Sequence, residues 1–303
     1  MTEVERIIRG GVISENFLQP ETICDFYVDE TRKKIWAIGI DLLVKFDCVC
    51  RKHGLKYSLA FGSLLGVVRH NGFIPWDDDI DVVMPRADYE KLKELKEEFE
   101  SPYFFQMPGE NDDYLFSFPK LRNSYTTGIS YPFRFASFNQ GLFLDIFPLD
   151  NYNPINVEQD VTLLKRLIAE CSALMRRKNP CPDEEDLEKL SLITGRTGEE
   201  IVAEIERIQK SHESETTGEY ICWCTLQYDY TRKIYKKEYF DNLIEVDFYG
   251  HKVFIPLNYK RILEITYGDY MQLPPVEKRG TWHSRNVTDP DVPYREYLNR
   301  LRE

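Results

Sequence analysis

The sequence lacks the composition of a nucleic-acid-binding or membrane-spanning protein. Its 39 Lys and Arg residues are outnumbered by 51 Asp and Glu residues, which gives a formal net charge of −12. Nucleic acids and anionic membranes bind electropositive surfaces, so we expect neither as a general partner. The longest apolar-rich stretch, IWAIGIDLLVKF, is interrupted by Asp41 and Lys45. We therefore expect no transmembrane segment.

The sequence also lacks the cysteine spacing of a zinc site and the apolar region of a signal peptide. The 7 cysteines are scattered, and the two C-x-C pairs are tighter than the usual zinc spacing. This pattern favours reduced thiols over a zinc site. The opening residues, MTEVERIIRGG, carry charges where a signal peptide has its apolar region. We expect a cytoplasmic protein, with the inner face of the membrane as a place where it can act.

Hydrophobic periodicity predicts an α/β (α+β) first half. Apolar residues at helical spacing predict a helix over 31–53, with Gly54 as its stop. A strand LKYSLAF, a helix SLLGVVRH, a strand IDVVMP and a helix RADYEKLKELKEEF follow, and short strands are expected over 103–147. Residues 1–150 are thus predicted to form a mixed sheet flanked by helices. Residues 151–303 are predicted to be mainly helical, with helices over 157–178, 183–192, 197–212 and 258–268 and a hairpin near Gly250.

The chemistry is concentrated in the acidic stretch WDDDIDVVMP. Residues two apart on a strand point to one face, so Asp79 and Asp81 project together while Ile80 and Val82 face the core. Two adjacent carboxylates repel unless a cation lies between them, and Mg²⁺ or Mn²⁺ is the usual partner of such oxygens. Asp145 in GLFLDIFPLD is a third acid embedded in an apolar strand, where an unpaired carboxylate is costly.

The turn at Gly62 and Ser63 adds an anion-binding element. A strand that ends in Gly-Ser and leads into a helix presents backbone N–H groups and a hydroxyl to a phosphate. An apolar-Gly-Ser turn, Asp-x-Asp on the next strand and a later third acid together match the signature of the nucleotidyltransferase fold. Each element alone is weak evidence, whereas all three in this order predict the fold.

A closer resemblance follows from longer motifs. The stretch FGSLLGVVRHNGFIPWDDDIDVVMPRADYEKL, with PKLRNSYTT, FLDIFPLDN and YGDYMQLPPVEKR, resembles the LicD family of phosphocholine transferases, to which fukutin-related proteins are also similar. The matches cover about residues 35–150 and 235–285, which implies that 235–285 returns to the active site. The family pattern commonly ends in paired histidines, whereas Trp282 here precedes a single His283, so the resemblance assigns His283 no role.

The resemblance implies a transferase that moves a phospho-alcohol from a CDP-alcohol, with CDP-choline as the expected donor. The acceptor would be a hydroxyl of a cell-envelope glycan or glycolipid such as teichoic acid or lipopolysaccharide, and CMP would be released. Two Mg²⁺ or Mn²⁺ ions about 3.5–4 Å apart would clamp the reacting oxygens. We assign them to Asp79, Asp81 and Asp145, with Asp145 also orienting or deprotonating the acceptor hydroxyl.

The remaining assignments are basic residues and the glycine-serine turn. Gly62 and Ser63 would hold the donor phosphates, and the candidate cations are Arg69, His70, Lys120 and Arg122. Alternatives stay open: Arg69 and His70 also suit a helix C-terminus, and Lys120 and Arg122 could both face solvent. Lys278 and Arg279 are typical of surface charge.

Two further features have structural explanations. Asp77 and Asp78 suit loop solvation or capping, with support of the metal ligands as the alternative. The aromatic residues of YPFRFASF, namely Tyr131, Phe133, Phe135 and Phe138, could cage a quaternary ammonium. A core strand explains them more simply.

Other functions remain open at this point. A nucleotidyltransferase that moves an NMP from an NTP would use the same fold. A nucleotide-sugar glycosyltransferase also has an Asp-x-Asp metal site, but the Gly-Ser turn and the third acid argue against it. A non-catalytic binding module is disfavoured because all three acids are present.

Overall fold

The computed structural model describes residues 1–110, 113–214, 217–223, 229–280 and 286–302, with side chains to residue 300. The first helices and strands are α1 (Glu3–Arg9), β1 (Glu21–Ile23), β2 (Phe26–Val28), α2 (Glu30–His53), β3 (Ser58–Leu59), α3 (Phe61–His70), β4 (Ile80–Pro85) and α4 (Arg86–Lys93). They are followed by β5 (Tyr103–Gln106), β6 (Lys120–Asn123), β7 (Thr127–Ile129) and β8 (Phe143–Leu149).

The later part begins with α5 (Val157–Arg176), α6 (Glu184–Leu190) and α7 (Gly198–Lys210). Next come β9 (Glu219–Ile221), β10 (Ile234–Lys236), β11 (Leu243–Phe248), β12 (His251–Pro256) and α8 (Tyr259–Tyr267). The chain ends with β13 (Val287–Asp289) and α9 (Tyr294–Arg302). No helix in these described ranges combines the length and the apolar character needed to cross a membrane.

The central sheet has five strands in the order β3-β4-β8-β6-β5. Strands β4 and β8 are parallel, while the β3–β4, β8–β6 and β6–β5 pairs are antiparallel. The mixed α/β fold predicted from the sequence is therefore confirmed. The long helix α2 lies against one face of this sheet. Its Gly39 packs on Ile80 of β4, and a Cβ added at Gly39 would lie 3.3 Å from Cδ1 of Ile80.

The signals at the ends of α2 explain its length. The side chain of Asp29 accepts a hydrogen bond of 2.8 Å from the backbone N–H of Arg32 and caps the first turn. Gly54 ends the helix in the left-handed conformation, with φ 64°. Between these caps, Trp36, Ile38 and Leu42 are completely buried in the main core. The predicted helix over 31–53 is confirmed.

Two predicted elements have different bounds. The strand LKYSLAF is reduced to two residues because α3 already begins at Phe61, so Gly62 and Ser63 lie in its first turn rather than before it. Helix α4 was predicted to continue to Phe99 but ends at Lys93. The chain turns there, and Phe99 stacks on Phe105 with ring centroids 5.2 Å apart. Burial of that ring outweighs the helical propensity of the Lys/Glu-rich segment.

Helices α5 and α7 contribute to a second core, separate from the main one. Leu164 and Leu167 of α5 pack with Ile201 and Ile205 of α7 in this cluster, together with Trp223. The hairpin β11–β12 and helix α8 instead pack in the main core with α2 and β4, through Val253, Ile255 and Leu263 among others. The polypeptide after the helical segment therefore returns to the first half of the molecule.

Candidate active site

A row of polar side chains crosses the sheet on the face opposite α2. Asp81 of β4 is in register with Asp145 of β8, Asp145 with Lys120 of β6, and Lys120 with Gln106 of β5. Residues paired directly across neighbouring strands project from the same face of a sheet. Alternation along β4, with Ile80 and Val82 fully buried on the other face, aims Asp81 into this row.

The acidic residues converge on one place. Carboxylate oxygens of Asp79, Asp81 and Asp145 lie within 4.8 Å of one another. A second group with the same spacing, Asp77, Asp78 and Asp79, shares Asp79 with the first. Oxygen ligands at such separations suit hard divalent cations such as Mg²⁺ and Mn²⁺. The donor set therefore fits the ions that the sequence predicts.

The carboxyl groups of this cluster affect one another's ionisation. Burial of the carboxyl group, and then the charges of Asp79 and Asp145, raise the pKa of Asp81 well above its usual value. The amine of Lys120 pairs with Oδ1 of Asp145. Burial lowers the pKa of Lys120, and the charge of Asp145 opposes that effect. Like charges held this close favour the binding of a divalent cation between them.

Gly62 and Ser63 are in contact with the acidic segment. The backbone N–H of Asp81 donates a hydrogen bond of 2.9 Å to Oγ of Ser63, which fixes the start of β4 against the first turn of α3. A Cβ at Gly62 would lie 2.6 Å from Oδ2 of Asp77, so only glycine permits this approach. Phe61 begins the helix with φ 42°, a conformation rare for an aromatic residue and typical of functional sites.

The first two aspartates of the run have local roles as well. The carbonyl of Asp77 accepts hydrogen bonds of 2.8 Å from Nε1 of Trp36 and 3.0 Å from Nη1 of Arg32. Its carboxylate accepts one of 3.2 Å from the backbone N–H of Asp78. Helix α2 therefore holds the turn that delivers Asp79 and Asp81 to the site.

Lys120 and Arg122 do not face solvent. They are 5% and 3% exposed, and both belong to the same face of β6 as the acidic row. Arg122 donates to the side chain of Gln106 and, at 2.7 Å, to the carbonyl of Gly141. No carboxylate among the described residues lies within 4.0 Å of its guanidinium. The solvent-facing alternative for these two residues is wrong, because the sheet face that carries them is covered.

Arg69 and His70 end helix α3 beside the returning C-terminal segment. Arg69 donates 2.8 Å and 3.3 Å hydrogen bonds from Nη1 to the carbonyls of Tyr270 and Gln272, and one of 2.9 Å from Nε to Nε2 of His70. Burial, followed by the charges of Arg69 and Arg279, lowers the pKa of His70 to about 4. The imidazole is therefore neutral at pH 7.

The aromatic residues of 131–138 do not form a core strand or a four-sided cage. Tyr131–Phe133 is a short 3-10 helix. Phe133 and Phe138 are buried in the second core, where Phe133 packs against Phe116 with centroids 5.5 Å apart. The ring of Tyr131 is covered by the guanidinium of Arg134 at 3.8 Å. A cation of the protein itself therefore lies over the Tyr131 ring.

Sequence reasoning missed two residues from the later part of the chain. The amine of Lys233, just before β10, lies 4.0 Å from the ring centroid of Phe61, and burial lowers its pKa while the charge of Asp81 opposes that effect. Tyr267 of α8 is 38% exposed as a residue. Burial of its hydroxyl, and then the charge of Asp81, raise the pKa of Tyr267. Lys233 belongs to no motif singled out in the sequence, whereas Tyr267 begins the motif YGDYMQLPPVEKR but was assigned no role.

A cleft lies beside the acidic cluster. It is lined by Asp78, Asp79 and Phe143, and by Asn286 and Thr288 next to and within β13, which pairs with β7. Lys278 is exposed nearby in the chain, whereas Arg279 is partly buried. His283 lies outside the described residues.

This geometry defines a nucleotidyltransferase-type site: a glycine-serine turn, an Asp-x-Asp strand and a third carboxylate on the parallel neighbouring strand. Comparison with known proteins agrees. Residues 54–171 match the family described as LicD/FKTN/FKRP, nucleotidyltransferase domain. The resemblance to the LicD family that the motifs predict is confirmed by this match and by the relatives below.

Individual relatives cover different lengths. The lipopolysaccharide cholinephosphotransferase LicD of Haemophilus influenzae is 28% identical over 264 residues, which is 84% of this chain and 96% of the relative. An uncharacterised protein of Rickettsia prowazekii is 43% identical over 49 residues, 16% of this chain and 18% of the relative. One of Rickettsia typhi is 28% identical over 116 residues, covering 35% and 36% respectively.

Proposed function

We propose that this protein is a metal-dependent transferase that moves phosphocholine from CDP-choline to a hydroxyl of a cell-envelope glycan or its precursor and releases CMP. The observation that carries the proposal is the convergence of Asp79, Asp81 and Asp145 within 4.8 Å on the face of a nucleotidyltransferase-type sheet. The similarity over most of the chain to a lipopolysaccharide cholinephosphotransferase supports phosphocholine as the transferred group.

In this proposal the three carboxylates hold Mg²⁺ or Mn²⁺. Bound ions of this kind would neutralise charge on the reacting phosphate and orient the attacking oxygen. Asp145 orients the acceptor hydroxyl and accepts its proton as the new P–O bond forms. The P–O bond to the bridging oxygen of the donor breaks, and its electron pair leaves on CMP.

The protein's own cations surround the same place. Lys120, paired with Asp145, and Arg122 on the same face of β6 are positioned to stabilise the phosphoryl oxygens. The first turn of α3 offers the backbone N–H groups around Gly62 to a phosphate. The hydroxyl of Ser63 accepts the N–H of Asp81 and so fixes β4, and its own O–H is the group that would donate to a donor phosphate.

A donor panel tests the reaction. Purified protein with Mg²⁺ and lipopolysaccharide should release CMP from CDP-choline and transfer choline phosphate to the glycan. Release of pyrophosphate from CTP or ATP would instead identify an NMP transferase, and UDP from a UDP-sugar would identify a glycosyltransferase. The comparison with CDP-ribitol and CDP-glycerol defines the alcohol. Absence of all these products in the presence of metal would overturn the proposal in favour of a binding module.

A further inference from the structure

Two arginines meet at the corner between the end of α3 and the segment that follows α8. Arg69 donates to the carbonyls of Tyr270 and Gln272. Arg279 donates hydrogen bonds of 2.9 Å from Nε to the carbonyl of Pro274 and 2.7 Å from Nη1 to the carbonyl of Cys24. The positive charge of Arg279 adds to the burial that lowers the pKa of Arg69, so the two groups are electrostatic neighbours.

This corner carries uncompensated positive charge. Within the described parts of the chain, no carboxylate lies within 4.0 Å of either guanidinium. Both guanidinium groups donate hydrogen bonds only to neutral acceptors there. Neither Nη2 group has a hydrogen-bond partner in the described residues. Carbonyl contacts orient a guanidinium without neutralising it, and an arginine fork suits a phosphate.

The corner also adjoins the acidic site. Arg69 follows Gly62 by seven residues on α3, so both lie on one face about 10 Å apart along the helix. After burial, the charge of Asp81 raises the pKa of Tyr267 in α8 and the charge of Arg69 lowers it, so both groups lie near this side chain. Arg279 lies 5.2 Å from the ring centroid of Trp76, the residue directly before Asp77. Negative charge at the acidic site and positive charge at this corner thus flank one region.

We propose that Arg69 and Arg279 form an anion subsite for the phosphate of CMP, the group that leaves when phosphocholine is transferred. This inference rests on the proposed function. Cleavage of the bridging P–O bond leaves its electron pair, and hence a new negative charge, on the CMP phosphate. The transferred phosphorus bonds to the acceptor oxygen, whose proton passes to Asp145. The two arginines stabilise the leaving phosphate, while the metal-binding carboxylates act on the transferred one.

The subsite depends on the C-terminal segment. Arg69 holds that segment through the carbonyls of Tyr270 and Gln272, and the segment in turn supplies Arg279. His70 contributes no charge, because its imidazole is neutral at pH 7 and accepts the Nε–H of Arg69. Arg279, which the sequence suggested was surface charge, is thereby placed against Trp76.

Calorimetric titration of CMP and cytidine in EDTA separates this subsite from the metal site. Arg69→Gln and Arg279→Gln should each weaken CMP binding by tenfold or more and leave cytidine binding unchanged. Arg261→Gln, an exposed arginine paired with Glu264 on α8, is the matched control and should bind CMP like the wild type.

The outcomes are distinct. If both glutamine variants fold and bind CMP with wild-type affinity, and only their Tm is lower, the arginines merely hold the C-terminal segment in place. That result would overturn the inference. In the wild type itself, CMP should bind at least tenfold more tightly than cytidine in EDTA, and a ratio near one would also overturn it. If CMP binding depends on the arginines but CDP-choline is not turned over, the proposed function fails while the anion subsite stands.

Discussion

The two ends of one strand pair carry opposite arrangements of charge. At the start of β4 and β8, Asp81 lies beside Asp145. One residue beyond the other end, where Pro85 is in register with Leu149, come Arg86 and Asp150. Arg86 donates hydrogen bonds of 2.6 Å from Nε and 2.9 Å from Nη2 to the two oxygens of Asp150. The same register therefore produces a neutral bidentate pair at one end and a repelling acidic pair at the other.

The two ends show how a buried charge that serves stability differs from one that serves function. Asp145 and Asp150 are both buried, at 7% and 1% exposure, so burial alone does not distinguish them. A buried ion pair with matched hydrogen bonds needs no further counter-ion in the folded protein. In the acidic cluster, burial and then the charges of Asp79 and Asp145 raise the pKa of Asp81, which marks a site that favours binding of a cation.

The largest expected effect is on turnover at the acidic end. Asp81→Asn should lower kcat/KM for CMP release from CDP-choline by about 10³-fold, because it removes electrostatic stabilisation at the reacting phosphate. The free energy of unfolding in metal-free buffer should not fall, since a like-charge repulsion is lost. Asp241→Asn, an exposed aspartate on another surface, provides the control. Turnover at the wild-type rate in Asp81→Asn would refute the assignment.

At the other end, the expected effect is on stability. Asp150→Asn should reduce the free energy of unfolding by about 3–5 kcal/mol, because buried Arg86 would lose its buried bidentate partner and keep only the more exposed Glu90. Urea denaturation measures this change. The double variant Arg86→Met/Asp150→Leu should recover most of the loss, since it removes both charges. A single variant as stable as the wild type would contradict the structural role of the pair.

Metal binding should stabilise only through the acidic end. A protein with Mg²⁺ at 100 times its dissociation constant gains about 2.7 kcal/mol of stability. The Tm of the wild type should therefore rise with Mg²⁺, and the Tm of Asp150→Asn should rise by a similar amount from its lower starting value. Asp81→Asn and Asp145→Asn should show no such rise. Equal Mg²⁺ shifts in all four proteins would place the ion elsewhere.

A smaller effect is expected from the cation missed by sequence reasoning. Lys233→Ala should lower kcat/KM by about 10²-fold, because the variant removes a positive charge near Asp81 and the first turn of α3. Lys236→Ala, on the same segment and exposed, should have little effect. Lys233→Arg should retain part of the activity. Identical rates for the two alanine variants would remove Lys233 from the site.

Local patterns were sufficient for the acidic half of the site. The alternation of IDVVMP aims Asp79 and Asp81 to one side, and Asp145 stands out because its neighbours are apolar. Alternation also placed Lys120 and Arg122 on one face of β6, yet it does not reveal which face the rest of the chain covers. That depends on tertiary packing, which also brings Lys233 and Arg279 to the site from distant segments.

Helix bounds show the same division. The caps at Asp29 and Gly54 are local, so α2 was predictable almost to the residue. The early end of α4 depends on the packing of Phe99 against Phe105 of β5. This contact is not visible in any local sequence pattern. The start of α3 at Phe61 depends on a positive φ held by surrounding contacts, whereas the local sequence favoured a strand there.

The most direct test of the account measures CMP release per folded molecule for Asp81→Asn and Asp150→Asn side by side, with CDP-choline, Mg²⁺ and lipopolysaccharide. Asp81→Asn should be folded and inactive, and Asp150→Asn should be destabilised but active in its folded fraction. Two results would contradict the assignment of catalysis to the acidic end of the strand pair. One is CMP release by folded Asp81→Asn, and the other is an inactive folded fraction of Asp150→Asn while Asp81→Asn stays active.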